Sequence, residues 1–128
     1  LVTRGHLEGF YYRPRVDKEL LQEFNGGLIA LSSCLHGEVA RHLLAGDTSG
    51  AEAATREYAE IFPGRFYLEV QANELPEQAK VNAGLLELGP RWGLPVVATN
   101  DVHYLRPEDA RAQDVLLCIQ TGKTMSGN

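Results

Sequence analysis

Three short apolar runs punctuate the chain, each followed by a segment with helical periodicity, and this alternation constrains the fold more than any other feature. Gly27-Leu28-Ile29-Ala30-Leu31-Ser32-Ser33 is almost continuously apolar, the pattern of a strand buried on both faces. Residues 36–45 then read as a helix, with Val39, Leu43 and Leu44 on one face and Gly46 as its cap. A second helix is predicted over 49–61, with Ala53, Tyr58 and Ile61 in the core and Pro63-Gly64 as its stop. Residues 65–71 alternate in part and are rich in aromatic and aliphatic side chains, which predicts a second strand. Pro76 suits the first turn of the next helix, where its missing N–H costs nothing. Val81, Leu85, Leu86 and Leu88 form that helix's apolar stripe, and Gly89-Pro90 is expected to end it. Val96-Val97-Ala98-Thr99 is a third strand. Residues 107–119 make a final helix, with Ala110, Val115, Leu116 and Ile119 facing inward.

Strands that alternate with helices in this way are the signature of βαβ units and a parallel sheet, so the fold class is α/β. Right-handed crossovers place the strand C-termini on one edge, and in parallel α/β folds ligands sit beyond that edge. At 128 residues the chain suffices for one domain with its own core. No apolar run approaches the ~20 residues of a spanning helix, and no signal-peptide pattern opens the sequence, so no membrane partner is expected. Twelve basic against seventeen acidic residues give a net charge of −5, which argues against a surface built to neutralise duplex DNA. The same balance permits carboxylates that hold cations, or a module that leaves the polyanion to a neighbour. Two cysteines, Cys34 and Cys118, allow at most one disulfide, and in a leaderless chain the reduced, cytoplasmic reading is preferred. A chain that opens at Leu1 and closes at Ser126-Gly127-Asn128 reads as a fragment.

The residues just past each strand are the ones to inspect. Cys34 and His36 follow the first, Gln71-Ala72-Asn73-Glu74 the second, and Asn100-Asp101-Val102-His103-Tyr104 the third. Cys34, Asp101 and His103 are zinc-ligand types that the topology brings to one rim. In extended backbone, residues i and i+2 point the same way, so the Asp101 carboxylate and the His103 imidazole can converge on one cation. The bland alternatives stay open: a turn at Asn100-Asp101 with His103 on Tyr104, and Cys34 as a small core residue. His36 is read as the start of the next helix rather than a ligand. Cys118, within Val115-Leu116-Leu117-Cys118-Ile119, is read as core, and His6 and His42 as surface or helix-face residues without partners. Glu8 and Glu69 are open as groups that support a ligand, with the bland reading preferred, and Asn100 is a further supporting candidate. The segment Gly9-Phe10-Tyr11-Tyr12-Arg13-Pro14-Arg15 mixes aromatic with basic residues, as single-stranded nucleic acid favours, although packing is the preferred role on an acidic chain. No phosphate-binding glycine loop or nucleophile elbow occurs.

Several blocks stand in order along the chain: His6-Leu7-Glu8-Gly9-Phe10-Tyr11-Tyr12-Arg13-Pro14-Arg15, Gly27 through Cys34, Pro76-Glu77-Gln78 with Val81-Asn82, Val97 through Tyr104, and Asp114 through Lys123. Together they resemble the PHP (polymerase and histidinol phosphatase) domain of bacterial replicative DNA polymerase alpha subunits. The resemblance spans residues 1–128 and implies the C-terminal portion of a distorted (β/α)7 TIM-like barrel, followed in relatives by the polymerase core. It implies a metal cluster, with Zn²⁺ held in part by Cys34, Asp101 and His103, and with the earlier ligands, an opening His-x-His among them, lying before Leu1. It departs where many relatives carry His-Gly after the second strand and this chain has Ala72-Asn73-Glu74. By the same resemblance the parent is a DNA-directed DNA polymerase using Mg²⁺, DNA and dNTPs, with a sliding clamp and a proofreading subunit as partners. Its PHP domain is then a zinc-dependent phosphodiesterase or 3′–5′ exonuclease, or alternatively a structural module that braces the polymerase. A stand-alone phosphoesterase is a third reading, opposed by the polymerase-like exit segment.

Overall fold

A computed structural model describes residues 1–125; the terminal Ser126-Gly127-Asn128 lies outside the described residues. Two short helices open the chain, α1 (Val2–Leu7) and α2 (Lys18–Glu23), neither of which the apolar periodicity had indicated. A cap explains the second: the Asp17 carboxylate accepts from the Leu20 N–H at 2.9 Å, satisfying one of the free donors of the first turn. The order then runs β1 (Ala30–Leu31), α3 (Glu38–Leu44), α4 (Thr48–Ile61), β2 (Phe66–Gln71), α5 (Pro76–Trp92), β3 (Val96–Thr99), a 3-10 turn (Pro107–Asp109) and α6 (Ala110–Thr121).

The three strands form one parallel sheet in sequential order β1-β2-β3, with Leu31 opposite Tyr67 and Gln71 opposite Thr99. Sequential order is that of a barrel arc, in which each crossover moves one strand onward. An arc of three strands is what the described residues form, not a closed barrel. The core lies between the sheet and helices α3 to α5. Phe66 and Leu68 of β2 are buried there against Val39, Ala51, Ala54, Ile61, Val81, Leu85 and Leu88. Because side chains alternate along a strand, Tyr67, Glu69 and Gln71 share the opposite face, and that face is polar. No helix among the described residues is long and apolar enough to cross a membrane.

Several expectations need correction. The first strand is two residues long rather than seven, and it is not buried on both faces: Ile29 and Leu31 are exposed. Gly27 turns the preceding loop at φ +73°, and the Arg65 guanidinium takes the carbonyls of Asn25 (2.5 Å) and Leu28 (2.7 Å), so this stretch is a clamped loop, not ladder. Helix α5 continues through Pro90 to Trp92 instead of stopping at Gly89-Pro90. Pro90 lies in the last turn, and Gly93, at φ +62°, makes the stop by donating to the Gly89 and Pro90 carbonyls. Leu86 and Ala53 are exposed rather than core. In α5 the buried row is Gln78, Val81, Leu85 and Leu88, which turns Leu86 outward; in α4 the row Ala51, Ala54, Thr55 does the same to Ala53.

The largest departure is α6. Val115, Leu116 and Ile119 are exposed, and Cys118 is half-buried beside Met125 (Sγ to Sδ 3.9 Å) rather than in a core. The helix packs chiefly on the 3-10 turn before it, so its apolar stripe has no partner among the described elements.

Candidate metal centre at the strand ends

Cys34 stands three residues past β1, in a turn closed by the Gly37 N–H donating to the Cys34 carbonyl at 2.9 Å. Ser33, just before it, is left-handed at φ +71°. Glycine is required at 37, because a Cβ there would lie 2.3 Å from the Ser32 carbonyl oxygen. The half-buried Cys34 Sγ is 3.8 Å from Nδ1 of His36, which lies in this turn and not in α3, whose first residue is Glu38.

Asp101 stands two residues past β3 and is also left-handed, at φ +49°. The His103 Nδ1–H donates to the Asp101 carbonyl at 2.6 Å. A carbonyl can only accept, so Nδ1 is the donor in this contact. Both residues are exposed and line a cleft of about 550 Å³ with Asn100, Val102, Tyr104, Gln113, Asp114 and Leu117. Asn100 thus sits in the cleft wall. Glu69 lies deeper, buried on the polar face of β2. Its Oε1 accepts from the Thr99 hydroxyl and from Gln71 Nε2 (3.2 Å), and its N–H donates to Ser32 Oγ (2.8 Å). It thereby couples all three strand ends. Glu8 is turned elsewhere, to an ion pair with Arg4 at 2.6 Å.

A polar network that periodicity missed supports the end of β2. Asn82 donates through Nδ2 to the Gln71 carbonyl at 2.8 Å and accepts from Gln78 Nε2 at 2.9 Å, and Asn73 donates to Gln78 Oε1 at 3.2 Å. Its signal was present: two amides at i and i+4 on the same side of α5 as Val81 and Leu85. His42 also has a partner that its spacing hid, the Asp47 carboxylate, 2.8 Å away across the turn between α3 and α4.

The topology brings Cys34, Asp101 and His103 to the same edge of the sheet. Side-chain geometry groups them only in part. The Cys34 thiol faces the His36 ring, His103 contacts the main-chain carbonyl of Asp101 rather than its carboxylate, and among the described residues no three His, Cys, Asp or Glu side chains are grouped to hold one ion. The residues present do not by themselves fit a metal.

An arc of parallel strands alternating with helices, with a thiol, a carboxylate and an imidazole past its C-terminal edge, is the arrangement of a barrel-like α/β domain. The chain belongs to the PHP domain family, whose match covers residues 1–73. Over nearly its whole length it is similar to DNA polymerase III subunit alpha. The Thermus aquaticus protein is 50% identical over 125 residues, 98% of this chain and 10% of that protein. The Treponema pallidum (strain Nichols) protein is 48% identical over 127 residues, 98% of this chain and 11% of that protein. The Aquifex aeolicus (strain VF5) protein is 42% identical over 132 residues, 100% of this chain and 11% of that protein. The chain therefore spans about a tenth of the length of the curated relatives it matches.

Proposed function

We propose that this chain is a segment of the alpha subunit of a bacterial replicative polymerase, and that it carries part of a zinc-dependent phosphodiesterase site acting as a 3′–5′ proofreading exonuclease. Cys34, Asp101 and His103 are its contribution to the metal ligands, with Asn100 and Glu69 supporting them. The observation that carries this reading is conformational. Two of the three strand exits, those of β1 and β3, pass through a left-handed, non-glycine residue, Ser33 and Asp101, beside or at a candidate ligand. Such backbone costs on the order of 1–3 kcal/mol per residue and concentrates at ligand-binding sites.

The whole protein is then a cytoplasmic DNA-directed DNA polymerase that takes DNA, dNTPs and Mg²⁺ and works beside a sliding clamp and a proofreading subunit. In the full-length subunit, His103→Ala lowers bound zinc, measured by metal analysis, and abolishes zinc-dependent removal of a 3′-terminal nucleotide while polymerisation persists. The 128-residue chain alone shows little or no nuclease activity, because its ligand set is incomplete. A second reading, that the domain braces the polymerase, is favoured by the uncovered stripe of α6. Unchanged zinc and exonuclease in His103→Ala would support it.

A further inference from the structure

The segment Gly9 to Arg15, for which packing is the preferred role by sequence, rests on α1 through its backbone but leaves its aromatic side chains exposed. Between Gly9 and Arg15 the chain folds into a small hairpin, closed by the Arg15 N–H donating to the Gly9 carbonyl and the Tyr11 N–H donating to the Arg13 carbonyl, both at 3.1 Å. Glycine is needed at 9, because a Cβ would lie 2.0 Å from the Arg15 carbonyl oxygen. Tyr12, at the tip, is left-handed at φ +59°, an uncommon state for a bulky residue. The outcome is display rather than burial: Tyr11 is 66% and Tyr12 83% exposed, with their rings edge to face at 4.7 Å. The Arg15 guanidinium lies 5.6 Å from the Tyr11 ring centroid, and neither Arg13 nor Arg15 has an ion-pair partner among the described residues. Residues 1–15 hold three of the twelve basic residues and one of the seventeen acidic ones, a local positive excess on a chain of net charge −5.

We propose that this hairpin is a contact surface for single-stranded DNA, with Tyr11 and Tyr12 as stacking platforms for bases and Arg13 and Arg15 as phosphate contacts. Unstacked bases offer flat faces that aromatic rings take up, and clustered guanidinium groups track the backbone. The charge of the loop selects a polyanion, and the exposed rings select one whose bases are free. The inference rests on the polymerase reading only for the choice of DNA over RNA.

The test is an NMR titration of the chain with an eight-nucleotide oligothymidylate in EDTA, so that its result is independent of the metal site. Ring resonances of Tyr11 and Tyr12 shift, and affinity falls with salt at a log–log slope of about −1.4, two phosphates at about 0.7 each. Tyr11→Ser with Tyr12→Ser weakens binding at least about five-fold, whereas the paired Phe substitutions retain it. Arg13→Gln with Arg15→Gln flattens the salt slope. Should the serine pair disturb amide resonances outside the hairpin, the Phe and Gln pairs decide. The proposal is overturned by unshifted ring resonances, by an equal response to duplex DNA or heparin, by response to anionic vesicles alone, or by retained affinity in the folded serine pair.

Discussion

The Thr99 hydroxyl donates a hydrogen bond to Glu69 Oε1, joining β3 to β2 on the polar face of the sheet, opposite the Leu68 side. Glu69 is buried, and its other side-chain partner is the amide of Gln71. Thr99→Val keeps the shape and removes the donor, leaving a buried carboxylate oxygen short of a bond. The expected loss is about 1–3 kcal/mol in urea unfolding. Thr99→Ser retains the donor and is expected to unfold nearer to the parent.

Lys18 ties the N-terminal part to the core. Its Nζ donates to Glu38 Oε1 at 2.8 Å and to Glu57 Oε2 at 2.6 Å, and lies 5.0 Å from the Tyr58 ring centroid. Burial pulls the ammonium pKa down, but the two carboxylates outweigh it and the net shift is upward. Lys18→Met is expected to cost about 1 kcal/mol, part of which disappears in high salt because the network is partly solvated.

Acid should erode stability through two carboxylates. Asp47 is held below the ordinary carboxylate range by the Gly50 N–H first, and then by His42 and Ser49. For Glu38, burial acts upward, but hydrogen bonds from Lys18 and Tyr58 prevail and the net shift is downward. A carboxylate depressed in the folded state stabilises above its unfolded pKa, and that contribution is lost as pH falls through the folded value. Thermal midpoints should therefore fall below roughly pH 4, and Asp47→Asn with Glu38→Gln should flatten that fall.

Gly37 lets the turn that carries Cys34 close against Ser32. Gly37→Ala forces the backbone apart, because the new methyl would meet a carbonyl rather than a flexible side chain. The expected cost is about 2 kcal/mol, read from the denaturation midpoint. If Cys34 is a ligand, zinc content in the full-length subunit falls with it.

Much of the fold could be read locally. The Pro76 start, the Gly46 turn at φ +74° and strands β2 and β3 follow from rules that operate over a few residues. Errors came where burial had to be assigned. Leu86, Ala53 and the α6 stripe are apolar, yet their exposure depends on which neighbour arrives, and Gly89-Pro90 looked like a stop because proline near a helix end is tolerated only by position.

What the sequence determined alone is the alternation of elements, and with it the parallel sheet that puts Cys34 and the Asp101–His103 pair at one edge. Side-chain period, caps and right-handed crossovers are short-range properties of the chain. Tertiary structure decided the rest: the coupling of Glu69 to Thr99, the His42–Asp47 pair, the amides under β2, and the display of Tyr11 and Tyr12. Each depends on which groups meet in space or on what leaves a surface uncovered, and apolar character sets only what it is worth to bury a side chain, not whether a neighbour comes to cover it.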